Sequence, residues 1–148
     1  MIALLQRVGS ASVTVDGATI AAIERGVLVF AAVQRGDGDA QAERLAERIL
    51  AYRIFPDAQG RMNRSVADID GGVLIVPQFT LAADTSRGTR ASFSSAAAPE
   101  EGRRLFEQLV AALRSRHRTV ATGAFGADMR IALVNEGPVT FWLQVNRA

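Results

Sequence analysis

The chain has no cysteine and no lysine, and only one of its 148 residues is a histidine. The missing thiol excludes cysteine nucleophiles, cysteine-ligated zinc and any disulfide framework. The missing lysine excludes Schiff-base catalysis and the phosphate-gripping lysine of a P-loop. All 17 basic residues are therefore arginine, and 15 carboxylates leave a net charge of only +2. The sequence pI of about 10.3 follows from that narrow balance, so charge alone is no argument for nucleic-acid binding. No apolar run approaches the roughly 18–20 residues that span a bilayer. The opening MIALLQRVGSASVTV carries no basic leader ahead of a long apolar stretch. Neither a membrane span nor a signal peptide is expected, and the cytoplasm is the expected compartment.

A hydrophobic fraction of 49% with 22% charged residues suits one globular domain over residues 1–148, long enough to bury a core unaided. From Met1 to Gln34 the stretches IALLQRV, ASVTVDG and TIAAIE alternate, GVLVFAAV is continuously apolar, and Asp16-Gly17 and Arg25-Gly26 mark turns. That pattern predicts a meander of three or four strands. Asp37 or Asp39 offers a helix cap, and Ala42, Leu45, Ala46 and Ile49 at helical spacing predict a helix over about 40–53 that Pro56 ends. A short strand is expected near 62–66, then a buried strand through VLIVPQFTLAA, then a loop over 84–98. Pro99, Glu100 and Glu101 suit the positive first turn of a second helix, whose apolar stripe is Leu105, Phe106, Leu109, Val110 and Leu113. It runs to about Arg116, and two or three strands complete the chain. The order predicts an α+β fold: a mostly antiparallel, strongly curved, barrel-like sheet with two main helices.

Few residues suggest chemistry. His117 lies just past the second helix, where an imidazole suits the negative end of the macrodipole. No G-x-S-x-G elbow exists to make it part of a triad. Asp37 and Asp39, and Asp68 and Asp70, flank turns in the ordinary way, so no metal site is expected. Two segments stand out. In VPQFTLAADT, Gln78 and Thr80 share parity at the end of a buried strand, where strand meets loop. In LVNEGPVTFWLQV, Gly137 and Pro138 interrupt an otherwise well-formed strand, as a bulge or an edge would.

QFTLAADT, followed some fifty residues later by GAFGADM and LVNEGPVTFWLQV, resembles the D-aminoacyl-tRNA deacylase family, also known as D-tyrosyl-tRNA deacylases. The resemblance covers almost the whole chain, including LLQRVGSASVTVDG, RIFPDAQGRMNRSV and the SRGTRASF loop. Three positions depart from the family pattern. Pro77 stands in place of a serine, Glu136 in place of an aspartate before Gly-Pro, and Ala91 in place of a proline. Only the change at Pro77, which removes a hydroxyl, touches the implied pocket.

The resemblance implies an enzyme that hydrolyses the ester between a D-amino acid and the 3′ end of tRNA, with glycyl-tRNA as a second substrate and no metal or organic cofactor. It implies a homodimer whose Gly137-Pro138 peptide is cis and reaches into the partner's pocket to select chirality. Gln78, Phe79 and Thr80 become the implied catalytic segment, with Pro77 and Met129 as pocket walls and Arg87 and Arg90 as contacts to tRNA. Such an ester is activated, so positioning and oxyanion stabilisation matter more than a strong nucleophile. Backbone groups from Phe79 to Leu81 and the Thr80 hydroxyl would organise the carbonyl, and the RNA's own 2′-hydroxyl would help activate water. Two other classes fit parts of the sequence: a non-enzymatic dimeric module that binds RNA ends, and a related hydrolase of small esters.

Overall fold

A computed structural model of the chain describes residues 1–147. Its organising element is β1 (Ile2–Val15), a single 14-residue strand where two shorter ones were expected. The strand stays continuous because it changes neighbours. Ile2 to Val8 pair with β3 (Gly26–Ala32), Ala11 to Val15 pair with β2 (Ala18–Ile23), and β8 (Arg130–Gln144) runs antiparallel along the other edge of both halves. Asp16 and Gly17, both at positive φ, form the tight turn into β2.

The sheet is mostly antiparallel, as expected, but it is mixed: two of its pairings are parallel. β6 (Gly72–Pro77) pairs in parallel with β3, and β7 (Val120–Thr122) pairs in parallel with β6. A parallel partner needs a crossover, and α1 (Asp39–Ala51) and α2 (Pro99–Arg114) lie within the two crossovers. β6 is buried on both faces, as its unbroken apolar run requires. Val73 and Ile75 face a core shared with Leu45 and Ile49 of α1 and Leu105 and Leu109 of α2. Leu74 and Val76 face a second core closed by Val8, Val13 and Leu28, with Ile131 and Leu133 of β8 packed against it. The sheet therefore curls over itself on one side and carries both helices on the other. A small hairpin of β4 (Phe55–Pro56) and β5 (Met62–Arg64) stands apart from it.

The first helix begins one residue before the expected 40 and is not capped by an aspartate. Gly38 is the cap, and its N–H donates to the Gln41 side chain at 2.8 Å. Asp37 is drawn elsewhere: it accepts from the Gln34 N–H at 2.7 Å and pairs with the Met1 ammonium at 2.8 Å. Asp39 sits inside the helix and joins the two helices through Arg104 at 2.7 Å. Among the described residues no helix is long and apolar enough to cross a membrane.

Candidate active site

The three parallel strands β3, β6 and β7 end side by side, and a cleft opens there. Ligands bind at the carboxyl ends of parallel strands because side chains and loops diverge at that point. One lobe of about 310 Å³ is lined by Val76, Pro77, Gln78, Phe79, Phe125 and Met129, among others. A second lobe of about 240 Å³ shares Pro77, Gln78, Phe79, Phe125 and Gly126 and extends to Ala31–Val33 and Phe106. The walls are apolar or backbone, and Gln78 is the one side-chain amide that lines both.

Gln78 and Thr80 do meet, though not by strand parity. The strand stops at Pro77, and Phe79–Ala82 form a 3-10 turn with Gln78 as its cap. The turn brings the Gln78 amide back onto Thr80, where Nε2 donates to Oγ1 at 2.5 Å. The Gln78 N–H still continues the ladder to the Ala31 carbonyl at 2.8 Å, which fixes where the turn begins. Proline is tolerated at 77 because the β6–β7 register ends at Ile75 opposite Thr122. The next rung would need an N–H at 77; instead the Gly123 carbonyl accepts the Thr122 hydroxyl at 2.9 Å. Met129 is half-buried against the second core, and its Sδ lies 2.9 Å from where a Cβ on Gly123 would stand. That close approach explains the glycine.

Phe79 is 60% exposed at the cleft mouth and stacks on Phe93, centroids 5.2 Å apart, tying the 84–98 loop to the site. Arg87 and Arg90 are exposed on that loop. Its base is closed by the Asp84–Ser92 bridge, and hydrogen bonds from Ser86, first its side chain and then its N–H, hold the Asp84 carboxyl below the usual carboxylate range. A lowered folded-state pKa means that the tie is complete above about pH 3.9 and lost as pH falls through the lower folded value. The protection factor of the Ser86 amide, its exchange rate measured against that of a free peptide at the same pH, is therefore expected to be flat from neutral pH to about pH 4 and to fall only below it.

Gly137 and Pro138 are not at this cleft. Gln6 pairs with Thr140 and Val8 with Asn135, so Glu136, Gly137, Pro138 and Val139 all stand opposite Arg7. The four-residue excursion occurs where β1 changes partners from β3 to β2, and its Gly137-Pro138 peptide is cis. Two residues that the sequence did not single out brace it. Arg7 donates to the Glu136 carbonyl at 3.1 Å and to the Ile54 carbonyl at 2.8 Å. Asn135 accepts from the Val139 N–H at 2.9 Å and donates to the Thr140 hydroxyl at 3.1 Å. Arg7 was legible only as a charge in an alternating strand. Glu136 folds over Gly9, where any Cβ would lie 2.6 Å from its Oε1. Gly137 and Pro138 are exposed and line neither lobe of the cleft.

His117 is buried, and its Nε2 contacts the Gly71 carbonyl at 2.6 Å. That contact is at the start of β6, whereas the cleft is at its end, roughly 16 Å away at about 3.3 Å per residue. His117→Ala is expected to destabilise the fold by about 1–3 kcal/mol, because a buried carbonyl loses its donor. Turnover at the cleft should be unchanged, which denaturant titration and steady-state rates will check together. Among the described residues no group of three or more His, Asp or Glu side chains is placed to hold a metal ion.

Fold and site together define an α+β chain with an apolar cleft at its parallel strand ends, equipped with an amide–hydroxyl pair and backbone groups. The chain belongs to the D-Tyr-tRNA(Tyr) deacylase family, whose model matches residues 4–144. It is 62% identical over 144 residues to the D-aminoacyl-tRNA deacylase of Methylococcus capsulatus, covering 97% of this chain and 94% of that one. It is also 62% identical over 145 residues to the enzyme of the same name from Thioalkalivibrio sulfidiphilus, covering 98% and 97%. Among solved structures it resembles the c-Myc DNA Unwinding Element Binding Protein, with a TM-score of 0.95 and 35% identity over 99% of this chain and all of that one. The chain is accordingly an enzyme of the hydrolase class.

Proposed function

We propose that this chain hydrolyses the ester joining a D-amino acid to the terminal adenosine of tRNA, releasing free tRNA and the D-amino acid. We also propose that it accepts glycyl-tRNA and works in the cytoplasm as a homodimer, with Gly137 and Pro138 of each chain closing the partner's cleft. The observation that carries the catalytic reading is Gln78, which lines both lobes of an apolar cleft and donates to the Thr80 hydroxyl on the exposed turn beside it, in a chain whose one histidine is locked at the far end of β6. Nothing there supplies a strong base. An activated ester, held in place with its carbonyl polarised, needs none.

Three features support the dimer. The Gly-Pro excursion is braced on its own chain, exposed, and outside that chain's own cleft. Among the described residues β8 pairs only with β1, so the other edge of this 15-residue strand is left open. The same strand exposes Val134 and Trp142, 59% and 50% accessible, an apolar edge that monomers avoid. A backbone wall rejects an L side chain by clash, whereas a missing contact discriminates by only about 1–3 kcal/mol. Glycine presents no side chain to that wall and is accepted with D-residues.

The test is incubation with matched D- and L-tyrosyl-tRNA and with free D-tyrosine ethyl ester, alongside sedimentation. Loss of D-tyrosyl-tRNA alone by a two-chain species is expected. Hydrolysis of none would leave an RNA-end-binding module, and hydrolysis of the free ester with no preference for tRNA would leave a general esterase.

A further inference from the structure

Arg103, in the first turns of α2, sits at the outer lip of the cleft. Its guanidinium lies over the Phe125 ring, 4.9 Å from the centroid, and Nη2 donates to the Phe125 carbonyl at 3.4 Å. The same nitrogen lies 3.7 Å from where a Cβ on Gly126 would stand. Phe125 lines both lobes of the cleft and also a groove of about 390 Å³ between α2 and β7, which Arg103 and Arg114 border. The ring is thus the ridge between cleft and groove.

The charge on Arg103 is available. Its neighbour Arg104 is engaged by Asp39 and Glu101, but Arg103 enters no ion pair among the described residues. Glu107 borders the same groove, and Glu100 and Glu101 lie on the helix flank beside it. Arginine one turn ahead of glutamate is the weaker order for a helical pair, and here the ring and carbonyl hold the guanidinium aside. A guanidinium has five donors in a planar fork, and one is used, so an edge remains for a phosphate. Stacking also fixes its orientation in advance, unlike Arg87 and Arg90, which stand on the exposed loop that Phe93 ties to Phe79.

We propose that Arg103 binds the phosphate on the 5′ side of the terminal adenosine, so that the single-stranded 3′ end of tRNA leaves the cleft over Phe125 and along the α2–β7 groove. This rests on the tRNA substrate proposed above. The discriminating pair of substrates is D-tyrosyl-tRNA and 3′-O-D-tyrosyl-adenosine, which lacks that phosphate. Arg103→Ala is expected to lower kcat/KM on the tRNA roughly tenfold, as loss of one charged contact does. It should also flatten the log–log salt dependence by about 0.7, the increment for one single-strand phosphate. On the adenosine ester, Arg103→Ala and the parent should be equal, and Arg103→Lys should recover part of the loss on tRNA.

An unchanged rate on tRNA, or an equal loss on both substrates, would overturn the assignment. So would a tRNA-specific loss found only in the Arg87→Ala, Arg90→Ala double variant, which would put the exit on the loop side. A parent enzyme inactive on D-tyrosyl-tRNA would instead overturn the substrate itself, a separate and visible failure. Because Arg103 is exposed, a thermal melt of each variant checks that the fold is not the cause.

Discussion

Gly137→Ala is expected to reduce D-tyrosyl-tRNA hydrolysis about a hundredfold, the usual result of moving a positioned group by an ångström. A Cβ at 137 would lie 2.7 Å from Val139 Cγ2 and 3.1 Å from both Arg7 Nη2 and the Val139 N–H. The position also has φ near +132°, which L-residues rarely adopt. The methyl group therefore runs into the stiff Val139 side chain first, and presses on the Arg7 guanidinium and the Val139 backbone nitrogen together. Its nearest neighbours, Arg7 and Val139, are the bracing partners of the excursion itself. Rejection of L-tyrosyl-tRNA should relax at the same time, because the wall no longer stands where an L side chain projects. A variant with parental rates on both substrates would remove Gly137 from the mechanism.

Mixing decides whose cleft the excursion serves. In a dimer of one Gly137→Ala chain and one Thr80→Ala chain, a cross-chain arrangement leaves one cleft with both residues intact. A same-chain arrangement leaves none. Random exchange should then restore about one quarter of parental activity, since half the dimers are mixed and each has one working cleft of two. No recovery, with exchange demonstrated, would place Gly137 against its own chain's cleft.

The helices were legible because a 3.6-residue apolar period and a proline at the first turn are local signals. The continuity of β1 was not, because one strand changing partners between Val8 and Ala11 looks like two strands in sequence. The parallel pairing of β3, β6 and β7 was likewise hidden: VLIV in β6 signals burial on both faces but not direction. That pairing is what places Val33, Gln78 and Phe125 around one cleft. Gln78 and Thr80 were found with a wrong warrant, since a 3-10 turn rather than strand alternation joins them. Arg103 carried no sequence signal at all, because its meaning lies in a ring 22 residues away.

Thr80→Ala is expected to lower kcat by about a hundredfold with little change in KM, the signature of a donor that acts mainly in the transition state. The polarity of the pair argues for that role. Gln78 Nε2 donates to Thr80 Oγ1, so the hydroxyl oxygen is occupied as an acceptor and its proton is free for a developing oxyanion. A nucleophilic threonine would need the reverse, a neighbour able to take its proton, and an amide N–H cannot. Gln78→Glu separates the two at nearly constant shape. If Thr80 donates, the new carboxylate captures the hydroxyl proton and places negative charge beside the oxyanion, and kcat should fall at least as far as in Thr80→Ala. If Thr80 attacks, the carboxylate supplies the missing base, and the rate should hold or rise with an acyl-threonine detectable by mass spectrometry after a quench. Thr80→Ser keeps the donor and should retain most of the rate in either case. The glutamate variant is therefore the experiment that assigns the hydroxyl.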